Sequence, residues 1–433
     1  MSKYTPFELP KNFMMGCATA ATQIEGGDKN NSWYEWSAKG KVKGKATTLR
    51  ANNHWELYEE DIKLMAQMGM ECYRFGVEWS RIEPSRGNYS KDAIAHYRRE
   101  LELLRQYHIR PLLTLHHFSN PLWFEKMGGF SSSESVKIFT EFVTFVVENV
   151  KDLCQEFITI NEPNVYVANG YVFGIWPPAE KSVIKGMRVF KYMSLSHISA
   201  YNEIHRICEN AKVGFANHLR VFVPYSSKNP FEMLSAKLMR YLFQDAITKS
   251  MATGRLQFPI GVTSPLGKGK YYDFIGINYY TRSAVKRFSN GVLPNRPTNN
   301  LGWDIYPEGL TQLVKDQYKR YKAPIWITEN GTCDKEDSFR ADYIYTHLKQ
   351  IADNELPVER YYHWTFMDNF EWLEGEGAAF GLVKCDFDTQ ERTVRKSGEF
   401  YSEIIKEKRV SPKMIDKYLH TAERITVNRA KDN

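Results

Sequence analysis

The sequence lacks the features that mark membrane-spanning, metal-sulfur or disordered chains. No uncharged apolar run approaches the roughly 18 residues that a transmembrane helix needs, and residues 1–10 do not form a basic and then apolar leader. The 6 cysteines are far apart and include no Cys-x-x-Cys pair, so zinc and dithiol chemistry are not indicated. These absences favour a cytoplasmic protein with buried thiols and no membrane partner.

The chain also has little excess of one charge. Its 58 Lys and Arg residues against 51 Asp and Glu leave a formal charge of +7, spread over most of the sequence, which is a weak signal for nucleic acid binding. One compact basic run contains Lys39, Lys41, Lys43 and Lys45, and we interpret it as a solvated loop rather than a phosphate-binding surface. No nucleic acid partner is expected, and the oligomeric state stays open.

Glycine-rich phosphate loops of the G-x-G-x-x-G or G-x-x-x-x-G-K-[ST] type are absent as well, which disfavours nucleotide enzymes. What is present is a composition with 42% hydrophobic and 25% charged residues, typical of a globular protein with a large core. Short apolar runs recur along the chain and predict strands at 13–19, 72–78, 111–116, 157–160, 212–216, 274–278, 324–328 and 361–366.

Longer segments with helical periodicity follow these runs, for example at 55–68, before Gly69, and at 139–150. No linker or repeat divides the chain. Alternation alone would also fit a doubly wound sheet. The position of the polar residues distinguishes a barrel from a doubly wound sheet, because polar or aromatic residues stand at the ends of most predicted strands. These residues are Gln23, Glu25, Arg74, Glu78, His116, His117, Asn161, Glu162, Asn278, Tyr280, Glu329, Asn330 and Trp364. We therefore predict an α/β fold, a single (β/α)8 TIM barrel with long βα loops over residues 1–433, with these groups converging on one mouth.

Two carboxylates stand out because each ends an apolar run beside an asparagine and a turn-forming residue. Glu162 lies in the Asn-Glu-Pro motif of 161–163, and Glu329 lies in the Thr-Glu-Asn-Gly motif of 328–331. A lone glutamate in such a place is usually a cap or an ion-pair partner. A pair of carboxyls is the minimum equipment for glycoside hydrolysis, where one protonates the leaving oxygen and the other attacks or activates water.

At these motifs the sequence resembles glycoside hydrolase family 1, the β-glucosidase-like retaining enzymes. The similarity runs over nearly the whole chain and includes the segments 23–26, 73–82, 161–163, 328–331 and 368–372. The resemblance implies an exo-acting enzyme that hydrolyses terminal non-reducing β-D-glucosyl residues, with β-galactosyl and β-fucosyl residues as further candidates. It implies a small-molecule β-glycoside as the substrate and neither a metal nor an organic cofactor.

The resemblance also implies roles for individual residues. Glu162 would be the general acid and then the general base, and Glu329 would be the nucleophile. Arg74 and Tyr280 would orient Glu329. The residues expected to contact the sugar are Gln23, His117, Asn161, Asn278, Trp364, Glu371 and Trp372. A retaining mechanism predicts carboxyl groups about 5 Å apart, whereas more than roughly 6.5 Å would support inversion.

Three departures from the family pattern bear on substrate preference. Phe118 and Asn164 stand where many family members carry tryptophan. At Phe118 this leaves the packing of the pocket edge open. At Asn164 an aromatic wall of the leaving-group side is either absent or supplied by Trp176, Trp123 or Trp303. Ala378 stands where the 6-phospho-β-glycosidase branch carries a phosphate-binding lysine, and an anionic Glu371 would repel phosphate. The unphosphorylated sugar is therefore favoured over the phosphorylated one. The same residues would also be compatible with a transglycosylating β-glycosidase or, less readily, with a non-catalytic sugar-binding relative.

Overall fold

Eight parallel strands close into a barrel in the computed structural model, which describes residues 4–419 and the backbone of 426–428. The strands are β1 (Met14–Ala18), β2 (Cys72–Gly76), β3 (Arg110–Thr114), β4 (Glu156–Asn161), β5 (Lys212–Pro224), β6 (Ile275–Lys286), β7 (Ile325–Asn330) and β8 (Val358–Trp364). Each strand pairs with the next one along the chain, and β8 pairs in parallel with β1 to close the ring. This is the predicted (β/α)8 barrel.

Six of the eight predicted strands match the observed ones to within three residues at either end. Their near-continuous apolar runs are buried on both faces, as expected for parallel strands that are covered by helices. The other two, β5 and β6, continue well past the predicted ends at 216 and 278. They stay paired beyond the barrel, with Val221 opposite Arg282 and Pro224 opposite Val285, and so form a two-stranded extension.

Helices surround the barrel and follow the strands in the order that the sequence predicts. They are Ala21–Ile24, Ser32–Ala38, His54–Gln67, Trp79–Ile82, Lys91–Gln106, Leu122–Lys126, Ser135–Val150, Pro163–Val167, Val183–Ile207, Pro230–Arg240, Ala246–Thr253, Glu308–Tyr321, Arg340–Asp353, Lys396–Glu407 and Pro412–Tyr418. The helix predicted at 55–68 ends as expected at Gly69, whose φ is positive at 77°. In this conformation the N–H of Gly69 donates to the carbonyl of Ala66, and the N–H of Met70 donates to the carbonyl of Met65.

Shorter strands form additional antiparallel pairs. Phe7–Glu8 pairs with Arg409–Val410, Val383–Cys385 with Arg392–Val394, Arg296–Thr298 with Thr426–Asn428, and Ser289–Gly291 with the end of β6. Short 3-10 turns occupy Lys43–Lys45, Gly129–Ser131 and Trp372–Gly377, and π turns occupy Ala168–Val172 and Tyr241–Asp245. Within the described range, no helix is both long enough and apolar enough to cross a bilayer.

Candidate active site

A cavity of about 880 Å³ opens at the carboxyl ends of the barrel strands. The predicted site residues that line it are His117, Glu162, Tyr280, Glu329, Trp364, Glu371 and Trp372. The other four, Gln23, Arg74, Asn161 and Asn278, are fully buried and hydrogen-bond to the lining residues from behind. The structure therefore brings all the predicted residues into one cluster, in a lining layer and a supporting layer.

Glu162 is fixed where β4 ends. Its backbone adopts a left-handed conformation with φ 43°, its N–H bonds the carbonyl of Ala216 at 2.7 Å, and Pro163 begins a short helix directly after it. The side-chain Oε1 accepts a hydrogen bond from Asn278 Nδ2 at 2.8 Å. Asn278 is itself held by the hydroxyl of Thr328, which donates to Asn278 Oδ1 at 2.6 Å. The carboxyl is thus held by β6 although the residue follows β4.

Glu329 lies on β7 and receives one strong donor on each carboxylate oxygen. Arg74 Nη1 donates to Oε1 at 2.6 Å, and the hydroxyl of Tyr280 donates to Oε2 at 2.6 Å. The guanidinium of Arg74 is completely buried and also donates to Thr114, to the carbonyl of Thr328 and to Asn161. Because charge-assisted hydrogen bonds favour a carboxylate, these two donors favour the ionised form of Glu329.

The two carboxyls are both buried, but they differ in the hydrogen-bond donors that they contact. Burial raises the pKa of Glu162 to about 7 and that of Glu329 to about 7, since both would carry charge away from water. The direct contacts with Arg74 and Tyr280 oppose this effect at Glu329, while the charge of each carboxylate disfavours ionisation of the other. When the pair holds one proton, that proton therefore resides on Glu162. One group is then an acid and the other an anion in the same cavity.

Asn161 and His117 form the polar wall between the two carboxyls. Asn161 Oδ1 accepts from Arg74 Nη2 at 2.6 Å and from Asn278 Nδ2 at 3.0 Å, and its Nδ2 lies 3.0 Å from His117 Nε2. Burial and the nearby Arg74 charge hold the pKa of His117 well below its usual range, so the ring is neutral. With Nε2 accepting from Asn161, the proton of the ring lies on Nδ1, which has no partner within residues 4–419.

Gln23 and Glu371 form a second polar wall. Gln23 Nε2 lies 2.8 Å from the carbonyl of Phe370 and 3.2 Å from Glu371 Oε2, whereas its buried Oε1 has no partner in the described part of the chain. Burial raises the pKa of Glu371 to about 8. The carboxyl is therefore mainly neutral at pH 7, and the repulsion of phosphate expected from an anionic Glu371 weakens. Ala378 is buried and does not line the cavity.

Aromatic rings close the remaining sides. His117 lies parallel to both Trp364 and Trp372, with ring centroids 5.8 and 5.9 Å apart. Of the three tryptophans expected on the leaving-group side, Trp176 and Trp303 line the cavity. Trp123 does not, because it packs against Trp79 and its indole N–H bonds the carbonyl of Glu83 at 2.7 Å. Phe118 lines the cavity and contacts Trp176 and Trp372.

The expectation that every strand-end polar group converges on the mouth was wrong for four residues. Glu25 pairs with Arg81 at 2.7 Å, and Glu78 accepts from Ser80 at 2.8 Å, both outside the cavity. His116 bonds Asn120 at 2.9 Å. Asn330 bonds the carbonyl of Tyr279 and the hydroxyl of Tyr361, each at 2.6 Å. His116 and Asn330 directly adjoin the cavity residues His117 and Glu329, and successive residues of an extended segment point to opposite sides. Glu25 and Glu78 instead lie at the ends of the short helices Ala21–Ile24 and Trp79–Ile82.

The four lysines of the basic loop are exposed, in agreement with its interpretation as a solvated loop, and the loop also borders the cavity. Lys43 lines the cavity mouth and pairs with Glu374 at 2.7 Å, although its side chain is 68% exposed. Lys41 lies over the ring of Trp36 at 3.9 Å. The loop thus places one paired cation at the entrance.

Two lining residues on β5, His218 and Arg220, were missed from the sequence. Both lie beyond the predicted end of this strand at 216, in the extension that pairs with β6. The signal that could have found them is the alternation of His218 and Arg220 with the apolar Leu219 and Val221 within the run 213–223, where Asn217 is the third polar residue. Residues of this spacing share one face of a strand.

Comparison with known proteins identifies the family of this chain. The family model described as Glycosyl hydrolase family 1 matches residues 5–410. Beta-glucosidase A of Acetivibrio thermocellus is 32% identical, over 94% of this chain and 99% of its own length. Beta-glucosidase A of Thermotoga maritima is 28% identical, over 92% of this chain and 98% of its own.

Solved structures agree with this result. A beta-glycosidase from Pyrococcus horikoshii superposes with a TM-score of 0.89 at 34% identity and covers 97% of this chain and 100% of its own. The beta-glucosidase from Thermotoga maritima in complex with glucoimidazole gives a TM-score of 0.86 at 27% identity and covers 93% of this chain and 99% of its own. The protein is therefore a glycoside hydrolase with a closed (β/α)8 barrel, and the chain belongs to glycosyl hydrolase family 1.

Proposed function

We propose that the protein is an exo-acting retaining β-glycosidase that hydrolyses terminal non-reducing β-D-glucosyl residues, with β-galactosyl and β-fucosyl residues as further substrates. The observation that carries this proposal is the pair of buried carboxyls in one cavity, with Glu329 held as an anion and Glu162 as the protonated partner. The whole chain serves as one catalytic domain. A cytoplasmic location remains a prediction that cell fractionation tests.

In the first step, a Glu329 oxygen attacks the anomeric carbon from the face opposite the leaving group. The bond from C1 to the glycosidic oxygen breaks as the proton of Glu162 moves to that oxygen, and an ester between the sugar and Glu329 forms. Arg74 and Tyr280 orient the carboxylate for attack. The leaving alcohol then departs with the proton that Glu162 supplied.

In the second step, water replaces the leaving group. Esterification removes the negative charge of Glu329, so the pKa of Glu162 falls and this residue becomes an effective base. Glu162 takes a proton from the water as its oxygen attacks C1, and the ester bond breaks to regenerate the Glu329 carboxylate. Two inversions give a product of the same anomeric configuration as the substrate.

Unpaired polar atoms support recognition of a sugar at the closed end of the cavity. His117 Nδ1 and Gln23 Oε1 are buried without a partner among the described residues, and such atoms ordinarily find a hydrogen bond. Glu371 beside Gln23 adds a carboxyl for a further hydroxyl. Trp364 and Trp372 offer flat apolar faces for the C–H bonds of a pyranose ring. Solved complexes of the Thermotoga maritima relative with glucoimidazole and with deoxynojirimycin favour the same sugar class.

Initial rates on nitrophenyl glycosides test the proposal. The panel comprises β-glucoside, β-galactoside, β-fucoside, β-mannoside, β-glucuronide, 6-phospho-β-glucoside and α-glucoside, and Glu329→Ala is the matched control. Cleavage of the β-glucoside by the wild type alone, with β-glucose as the first product by NMR, supports the proposal. Inverted product or cleavage of the 6-phospho substrate alone contradicts it.

Two further arms test the competing functions. Added alcohol acceptors that divert most of the product into new glycosides indicate a transglycosylase. Saturable glucoside binding without turnover by a folded wild-type protein indicates a sugar-binding relative. Either outcome replaces the hydrolase assignment.

A further inference from the structure

His218 lies directly behind the catalytic acid on the β5 extension. Its Nδ1 is 3.3 Å from Glu162 Oε1, the oxygen that also accepts from Asn278 Nδ2. The imidazole is buried and lies parallel to the ring of Tyr280, with centroids 5.5 Å apart. Burial and the charge of Arg220 hold the pKa of His218 well below its usual range, so the ring is neutral.

Arg220 fixes which nitrogen of that neutral ring carries the proton. Arg220 Nε donates to His218 Nε2 at 2.8 Å, so Nε2 is the acceptor and the ring proton must lie on Nδ1, which faces Glu162. The backbone N–H of Arg220 is in turn held by Gln244 Oε1 at 2.9 Å. Arg220 therefore directs the N–H of His218 toward Glu162, whose Oε1 lies 3.3 Å from Nδ1.

Arg220 is a partly exposed cation that lines the cavity and has no counter-ion in direct contact among the described residues. Among the described residues, Arg220 forms no ion pair, and Glu162 is the one carboxylate whose field favours its charged form against burial. A cation that has lost part of its hydration is stabilised by a nearby anion. Its charge is compensated through the imidazole when Glu162 is ionised, which is the state that activates water.

We propose that Arg220 and His218 are a positioning pair that directs the acid proton of Glu162 to Oε2 and stabilises its ionised form during water attack. The inference rests on the proposed function of Glu162. Oε1 accepts from Asn278 and lies 3.3 Å from His218 Nδ1, while no described side chain donates to Oε2. The proton of the neutral carboxyl therefore occupies Oε2, and the Asn278 amide together with the nearby His218 N–H favours the carboxylate once that proton has gone.

Other groups also shift the pKa of Glu162, and they must be considered to decide in which direction the variants change it. Arg74 and the Asn278 amide lower its pKa, as Arg220 does, whereas burial raises it. The anionic Glu329 across the cavity favours the protonated form, and Tyr280 and Glu371 are themselves neutral near pH 7. Loss of the donor at His218 or of the charge at Arg220 removes stabilisation of the carboxylate, so either change raises the pKa of Glu162.

The test measures kcat/KM as a function of pH on a β-glucoside with a poor leaving group. The readout is the pH at which kcat/KM falls on the alkaline side, here called the alkaline limb. His218→Phe keeps an aromatic ring beside Tyr280 but removes both nitrogens, and Arg220→Gln keeps a donor toward His218 but removes the charge. We expect each to move the limb upward by roughly one pH unit. His218→Asn, whose amide can donate from nearly the same place, should return the limb toward the wild-type position.

A rate loss that is equal at every pH, with the limb unmoved in both variants, would overturn the inference and leave the pair with a merely structural role. If His218→Phe does not fold, Arg220→Gln alone decides, because it leaves the imidazole in place. Glu162→Gln separates the two proposals, since it must abolish the limb altogether. A limb that persists in Glu162→Gln contradicts the assignment of the acid itself rather than that of the pair.

Discussion

Replacing Glu162 by glutamine removes the proposed acid and leaves its surroundings nearly unchanged. The amide oxygen can still accept from Asn278 Nδ2, which lies 2.8 Å from Oε1, and His218 Nδ1 lies 3.3 Å from the same position. The lost contribution is protonation of the leaving oxygen, which general acid catalysis sets at roughly 10²- to 10⁴-fold, or about 2.7 to 5.4 kcal/mol of activation free energy. For a methyl or phenyl β-glucoside we expect kcat/KM to fall by that factor.

A dinitrophenyl glucoside provides the internal comparison. Its phenolate leaves without a proton, so kcat/KM of Glu162→Gln should change by less than roughly 10-fold. The second step still lacks its base, and kcat on this substrate should therefore fall and recover when azide replaces water, with formation of the β-glycosyl azide. Steady-state rates on both substrates, with thermal unfolding as the control for folding, measure this. An equal loss of kcat/KM on the two substrates would refute the acid role.

Three other predictions concern the nucleophile, the pH profile and one glycine. Glu329→Ala should lose roughly 10⁴-fold or more of kcat, and azide should rescue it partly as the α-glycosyl azide, which NMR identifies; rescue as the β-azide would contradict the assignment. The wild-type kcat/KM should fall as pH rises through about 7, because Glu162 must hold its proton and burial raises its pKa to that value; a profile flat from pH 6 to roughly 9 would contradict this. A Cβ at Gly331 would lie 1.8 Å from the carbonyl oxygen of Trp364, whereas one at Gly377 would meet nothing within 4 Å. Gly331→Ala should therefore lower the free energy of unfolding by about 1–3 kcal/mol or more, whereas Gly377→Ala should change it little. Denaturant titration measures both, and equal losses would refute the steric reasoning.

The barrel could be predicted because its strands are buried on both faces and therefore read as apolar runs. The run at 157–160 lies within β4, and the paired motifs around Glu162 and Glu329 fall at strand ends as expected. The extensions of β5 and β6 were not predicted. Residues 217–220 mix polar and apolar side chains because one face of this stretch lines the cavity, and a pattern of that kind resembles a loop.

The sequence predicted which residues form the supporting layer of the site, but not the hydrogen bonds that they make. That Arg74 and Tyr280 hold Glu329 followed from the family resemblance, but the hydrogen bonds of Asn278 to both Glu162 and Asn161 depend on how β4 and β6 approach each other. His218 was missed for the same reason. Its role depends on Arg220, two residues later, which fixes the tautomer, and on its distance from a residue of another strand.

The most direct test of the central claim is to trap the covalent intermediate. Incubation with a 2-deoxy-2-fluoro-β-glucoside that carries a dinitrophenolate leaving group should inactivate the enzyme, because the fluorine slows both steps while the activated leaving group keeps the first one fast. Peptide mass spectrometry should then find one fluoroglucosyl unit esterified to Glu329, and Glu329→Ala should remain unlabelled. A label on another residue, or an active enzyme that never acquires one and releases the α-anomer, would contradict a retaining mechanism with Glu329 as the nucleophile.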